Sequence, residues 1–163
     1  MPITFTADEV FEIAEQLERN AAEFYREAAE RSSNKDIKNF LLDMSAVENK
    51  HLSAFQNMRE KLAEEEGLSI FDPLGHSAMY LQALADARCW EGRKNPLEVL
   101  TGNETIKDII DIAIEAEKEM VVFYVGLKDL VYFKAGKRKV EEIIIEELNH
   151  IHALVRELRV LNE

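Results

Sequence analysis

Two short segments, Glu48-Asn49-Lys50-His51 and Glu147-Leu148-Asn149-His150, each place a glutamate and a histidine three residues apart, and they lie 99 positions from one another. The same ungapped shift of 99 carries Ile13 onto Ile112, Ala14 onto Ala113, Glu18 onto Glu117, Phe24-Tyr25 onto Phe123-Tyr124 and Ala54 onto Ala153. Self-similarity at a fixed offset signals repeated structural units. The two halves therefore read as copies of one unit, and a pseudo-twofold arrangement sets equivalent residues facing each other across an axis.

Each unit reads as a helical hairpin. The chain has only 6 Gly and 3 Pro, and its long stretches free of both carry apolar residues every three or four positions, the period of an amphipathic helix. Helices are expected over about 7–31, 34–65, 104–132 and 137–161, with Thr6 and Glu9 at capping-box spacing before the first. Turns are expected at Ser32-Ser33-Asn34 and around Ala135-Gly136. One domain over 1–163 follows: hairpin one at about 7–65, a crossover at about 66–103, and hairpin two at about 104–162. The crossover, which carries Pro73, Gly75, Gly92 and Pro96, leaves room for a short helix from Ser77 to Arg88 and is long enough to return the chain along the bundle. The expected fold is all-α: a four-helix bundle of two hairpins.

The chemistry lies on the apolar faces. Helix two has a stripe at Leu41, Met44, Glu48, His51, Phe55, Met58 and Leu62, and helix four repeats it with Val140, Ile143, Glu147, His150, Leu154 and Leu158. Helix one shows Phe11, Ala14, Glu18, Ala21 or Ala22, and Tyr25; helix three shows Ile110, Ala113, Glu117, Val121 and Tyr124. Four carboxylates and two imidazoles thus point into an otherwise apolar interior, with no Lys or Arg on the stripes to balance them. A buried carboxylate without a partner is costly. Two divalent cations would supply four positive charges against four negative ones. Carboxylates also bridge two ions, and Glu and His three apart on a helix reach one ion from the same side.

Heights agree as well. The midpoint between Glu18 and Glu48 is Ser33, inside the expected turn, so both sit about 22 Å from it at ~1.5 Å per residue. The midpoint between Glu117 and Glu147 is Tyr132, slightly ahead of Ala135-Gly136. Mixed carboxylate and imidazole donors suit iron or manganese, and zinc also tolerates them.

One Glu from each of two helices with Glu-x-x-His from each of the other two resembles the ferritin-like di-iron carboxylate proteins. The phrases LERNAAEFY and AEKEMVVFY are similar to the rubrerythrin branch of that superfamily, and the likeness covers about 12–64 and 104–163. It implies a ferritin-like bundle with two iron ions held by Glu18, Glu48, His51, Glu117, Glu147 and His150. It also implies that Tyr25 and Tyr124 donate hydrogen bonds to ligand carboxylates. Rubrerythrins proper carry a rubredoxin domain with iron on four Cys, whereas this chain has one Cys and runs out after the fourth helix. An external electron donor, such as a rubredoxin or a flavoprotein, is therefore expected. Rubrerythrins also have an additional Glu one turn from the third-helix ligand; here the neighbours are Ile114, Met120 and Val121, with Glu115 and Glu119 off the stripe.

The net charge of −12 argues against nucleic acid and anionic membranes as partners. The longest aliphatic runs are of the length of Ile143-Ile144-Ile145, far short of the ~20 residues of a membrane span. With one cysteine, Cys89, and no basic-then-apolar start, the expected location is the cytoplasm. The expected activity is reduction of hydrogen peroxide or dioxygen. A ferroxidase or iron-storage role and a helical interaction module with a structural metal are the alternatives that use the same ligands. A homodimer is expected, with Phe71, Met79, Tyr80, Leu81 and Trp90 of the crossover as candidate contact residues.

Overall fold

The structure is a computed structural model and describes residues 7–64, 79, 100–131 and 134–162. Four helices and no strand occur among them: α1 (Ala7–Arg31), α2 (Lys35–Glu64), α3 (Ile106–Leu130) and α4 (Lys134–Val160). Thr6, the expected crossover helix at Ser77–Arg88, His76, Cys89 and the contact residues Phe71, Tyr80, Leu81 and Trp90 lie outside the described residues. Met79 is described, helical and exposed.

Local chemistry sets the helix limits. Asn34 caps α2: its Oδ1 accepts from the backbone N–H of Asp36 at 2.9 Å and of Ile37 at 3.2 Å. Before α3, Gly102 takes φ 94°, a conformation that side-chain-bearing residues resist. Thr105 then forms a capping box with Asp108, each side chain accepting from the other's backbone N–H, at 3.2 and 2.8 Å. α3 stops at Val131, which is extended with its N–H on the Leu127 carbonyl at 3.2 Å.

The second hairpin differs from expectation at its turn. Ala135 and Gly136 belong to the first turn of α4, and the helix break falls between Leu130 and Lys134. The bounds Leu130 and Lys134 are equidistant in sequence from the midpoint of Glu117 and Glu147, so the two hairpins bring their carboxylates level in the same way. Gly136 is buried, and packing outweighs its helix penalty of about 1 kcal/mol.

α1 packs along α2, and α3 along α4; α1 also meets α3 and α2 meets α4, which leaves α1/α4 and α2/α3 as diagonals. All four apolar stripes face the shared interior. Phe11, Phe55 and Tyr124 run through it with ring centroids 6.4 and 5.0 Å apart. Phe24 and Phe123 meet the adjacent tyrosines edge-on at 5.4 and 5.9 Å. Each such buried side chain contributes about 1.5–3 kcal/mol. Among the described residues, no helix is long and apolar enough to cross a membrane.

Candidate metal centre

The helical period that buries Leu41, Met44, Phe55 and Met58 also turns Glu48 and His51 inward, and the period that buries Val140, Ile143 and Leu154 does the same for Glu147 and His150. Glu18, Glu48, Glu117 and Glu147 are all 0% exposed. All six residues singled out from the sequence meet at one height between the helices.

Their atoms form two overlapping sets. One comprises Glu18, Glu48, His51 and Glu147; the other comprises Glu48, Glu117, Glu147 and His150; within each set the potential ligand atoms lie within 4.8 Å of one another. Glu48 and Glu147 belong to both. His51 Nδ1 is 2.9 Å from Glu147 Oε1, 3.2 Å from Glu48 Oε2 and 3.6 Å from Glu18 Oε2. His150 Nδ1 is 2.9 Å from Glu147 Oε2, 3.0 Å from Glu48 Oε1 and 3.6 Å from Glu117 Oε1. Each shared carboxylate thus turns one oxygen toward each histidine, the disposition of a bridge. Glu18 and Glu117 serve one end each. The two imidazoles lie 6.0 Å apart between centroids with their planes 27° from parallel.

Tyrosines tie the hairpins together at this level. Tyr124 of α3 donates to Glu18 Oε1 of α1 at 2.5 Å, and Tyr25 of α1 donates to Glu117 Oε1 of α3. Each outer carboxylate is therefore held from the opposite hairpin by one oxygen; in Glu18 the other oxygen faces His51, whereas in Glu117 the held Oε1 is also the one nearest His150.

The donor set fits metal ions. Glu18 Oε2, Glu48 Oε1, Glu117 Oε2, both oxygens of Glu147 and His150 Nδ1 are buried and, among the described residues, have no hydrogen-bond partner. Several of them lie near 3 Å from a neighbour, so what they lack is alignment: they converge on common points instead of on each other. Buried polar atoms are otherwise nearly always paired. Among the described residues, no Lys or Arg lies within 4 Å of the four carboxylates; their ion-pair contacts are with His51 and His150.

Protons take the place of cations in the metal-free cluster. Burial, reinforced by the neighbouring carboxylates, pushes Glu18 and Glu117 well above the ordinary carboxylate range. Burial also acts to raise Glu48, but the imidazoles of His150 and His51, 3.0 and 3.2 Å away, outweigh it and bring that group to about 2. Burial lowers the imidazoles, yet Glu147, Glu18 and Glu48 raise His51 strongly, and Glu117, Glu147 and Glu48 raise His150 to about 12. Burial and the facing carboxylates raise Tyr25 and Tyr124 as well, so their hydroxyls keep their protons. Metal binding to such a site displaces protons.

Outside the cluster, Glu115 is exposed and meets Lys118 at 2.6 Å, and His152 is exposed. One partner of the cluster is unmarked by the apolar stripes. Glu146 of α4, one position before Glu147, reaches across to His51, with Oε2 2.7 Å from Nε2. It lies beside the stripe, and only its adjacency to a ligand carboxylate hinted at a role.

Known proteins agree with this architecture. A family model described as Rubrerythrin matches residues 9–158. A crystal structure from Thermotoga maritima, described as a ferritin-like diiron-carboxylate protein, is similar with a TM-score of 0.67 at 22% identity, covering 96% of each chain; at that identity the likeness speaks for the fold. No curated protein matches the chain.

Proposed function

The chain belongs to the rubrerythrin family, and on that premise we propose that Glu18, Glu48, His51, Glu117, Glu147 and His150 hold two iron ions that serve the reduction of hydrogen peroxide or dioxygen. The observation that carries this reading is the pair of overlapping ligand sets sharing Glu48 and Glu147. Iron suits the mixed oxygen and nitrogen donors, as manganese would. When bound, a reduced iron pair supplies the two electrons that peroxide needs to become two waters with two protons.

The protein's part is to hold, orient and exclude. Glu48 and Glu147 span both positions, and Glu18 with His51 and Glu117 with His150 complete the ends. Tyr124 and Tyr25 fix the outer carboxylates and keep hydroxyl protons at Glu18 Oε1 and Glu117 Oε1. Met44, Phe55, Ile143 and Leu154, one turn from the ligands on α2 and α4, are buried and keep bulk water from the cluster. Electrons for turnover come, in this reading, from a separate donor such as a rubredoxin or flavoprotein, and the chain works as a homodimer.

Anaerobic loading with iron(II) followed by hydrogen peroxide tests the proposal. The expected result is oxidation far faster than that of free iron(II), consuming one peroxide per iron pair, with iron(III) absorption that a reductant reverses. Oxidation no faster than in buffer overturns it. Fast oxidation with dioxygen, followed by accumulation of iron beyond the pair, would indicate iron handling instead.

A further inference from the structure

The two ends of the centre are equivalent in their ligands and unequal in their support. On one side the outer nitrogen of His51, Nε2, lies 2.7 Å from Glu146 Oε2. A hydrogen held at Nε2 by this contact leaves Nδ1, the nitrogen that faces the cluster, as the one that can ligate. On the other side, the repeat offset places Val47 on α2 where Glu146 stands on α4. Valine offers no acceptor, and among the described residues the carboxylates paired with His150 are Glu48, Glu117 and Glu147, all of the cluster and each paired through Nδ1. The His51 side chain is 3% exposed, against 12% for His150.

We propose that Glu146 is a positioning residue that makes the two metal positions unequal, the one built on Glu18 and His51 binding first and more tightly than the one built on Glu117 and His150. This rests on the metal-centre reading above. A carboxylate behind a ligating histidine fixes the ring's tautomer and orientation and raises its basicity, and removing such a partner typically weakens metal binding by about 10–100-fold. Because Glu48 and Glu147 are common to both positions, they cannot create the difference. Glu18 and Glu117 each accept from a tyrosine, so they do not create it either. Among the described residues, Glu146 is the polar contact with no counterpart on the opposite side. The unequal positions give the centre one resident ion and one exchangeable ion.

Cobalt(II) titration of the metal-free protein, followed by visible absorption and calorimetry, tests this. Wild type should show two steps whose affinities differ by about 10–100-fold. Glu146→Ala should weaken the tighter step by about tenfold or more and leave the weaker one in place. Glu146→Gln, which retains an acceptor oxygen, should fall between the two. Val47→Glu should strengthen the weaker step. The Glu146 side chain is 47% exposed, so these exchanges at position 146 leave the core intact. Equal steps in wild type, unchanged steps in Glu146→Ala, or equal weakening of both steps would overturn the inference while leaving the metal centre standing. No cobalt binding in wild type would overturn the metal centre itself, and this inference with it.

Discussion

Hairpin one and hairpin two carry the same ligand pattern but hold their helices together by different means. In hairpin one, Arg59 of α2 forks onto Asp8 of α1 at 2.6 and 2.8 Å and reaches Glu15 at 3.4 Å. Ser45 of α2 donates to the Ala22 carbonyl of α1 at 2.7 Å. The repeat offset puts Lys107, Ile114 and Leu158 where Asp8, Glu15 and Arg59 stand, and Val121 and Ile144 where Ala22 and Ser45 stand. At the Glu15, Ser45 and Arg59 positions polar ties thus give way to aliphatic packing in hairpin two, with Ile114, Ile144 and Leu158 set against the core, while Lys107 donates to Asn162 at 3.2 Å. Ala21, Ala22, Ala28 and Ala29 bring α1 close to α2, whereas Met120, Val121, Leu127 and Lys128 stand at the matching places on α3, with Lys128 3.8 Å from Glu141 of α4. Helix register, common to both hairpins, is what sets the ligand heights; the chemistry of the seam is free to vary around it.

The sharpest break in the comparison separates shared from private ligands. Glu48→Ala or Glu147→Ala should abolish binding at both positions, whereas Glu18→Ala and Glu117→Ala should each spare the opposite position. Metal analysis after iron(II) loading and desalting distinguishes these outcomes, and equal losses in all four variants would deny Glu48 and Glu147 their bridging role. A smaller effect should follow from the tyrosines, each of which acts on the opposite hairpin. Tyr124→Phe should weaken the position that uses Glu18, and Tyr25→Phe the one that uses Glu117, by about 10–100-fold in a cobalt(II) titration.

The seams should differ in response to salt. Arg59→Ala is expected to cost about 0.2–1 kcal/mol of stability at low ionic strength and less as salt rises. Leu158→Ala, at a partly buried apolar position, should cost about 2 kcal/mol whatever the salt. Urea denaturation at two salt concentrations gives both numbers.

The smallest effect concerns the approach to α3. Glu104 accepts from the backbone N–H and hydroxyl of Thr101 and from the N–H of Gly102, and those bonds hold its carboxyl at about 2, below the ordinary 4.5. A depressed folded value contributes stability above the unfolded value, and that contribution is lost as pH falls through the folded one. Glu104→Gln should therefore lower the melting temperature at neutral pH and make no difference near pH 2.

Much of this was legible in the sequence because a helix converts spacing into direction. The stripes on α1 and α2 identified Glu18, Glu48 and His51 as inward without any tertiary information, and the shift of 99 did the same for Glu117, Glu147 and His150. Two features were not legible. Ala135-Gly136 looks like a turn by propensity, yet burial of Gly136 draws it into α4 and moves the break to precede Lys134. The Glu146–His51 contact depends on how far α4 lies from α2 and at what rotation, which no single-helix period encodes. Among some thirty acidic residues, one lying off the stripe carries no local mark of its role.

Anomalous diffraction at the iron edge, from crystals grown with iron(II) under nitrogen, tests the centre most directly. Two peaks about 3.5–4 Å apart are expected, both touching Glu48 and Glu147, one next to His51 and the other next to His150. An interior without peaks, or iron confined to carboxylates on the outer helix faces, would contradict it.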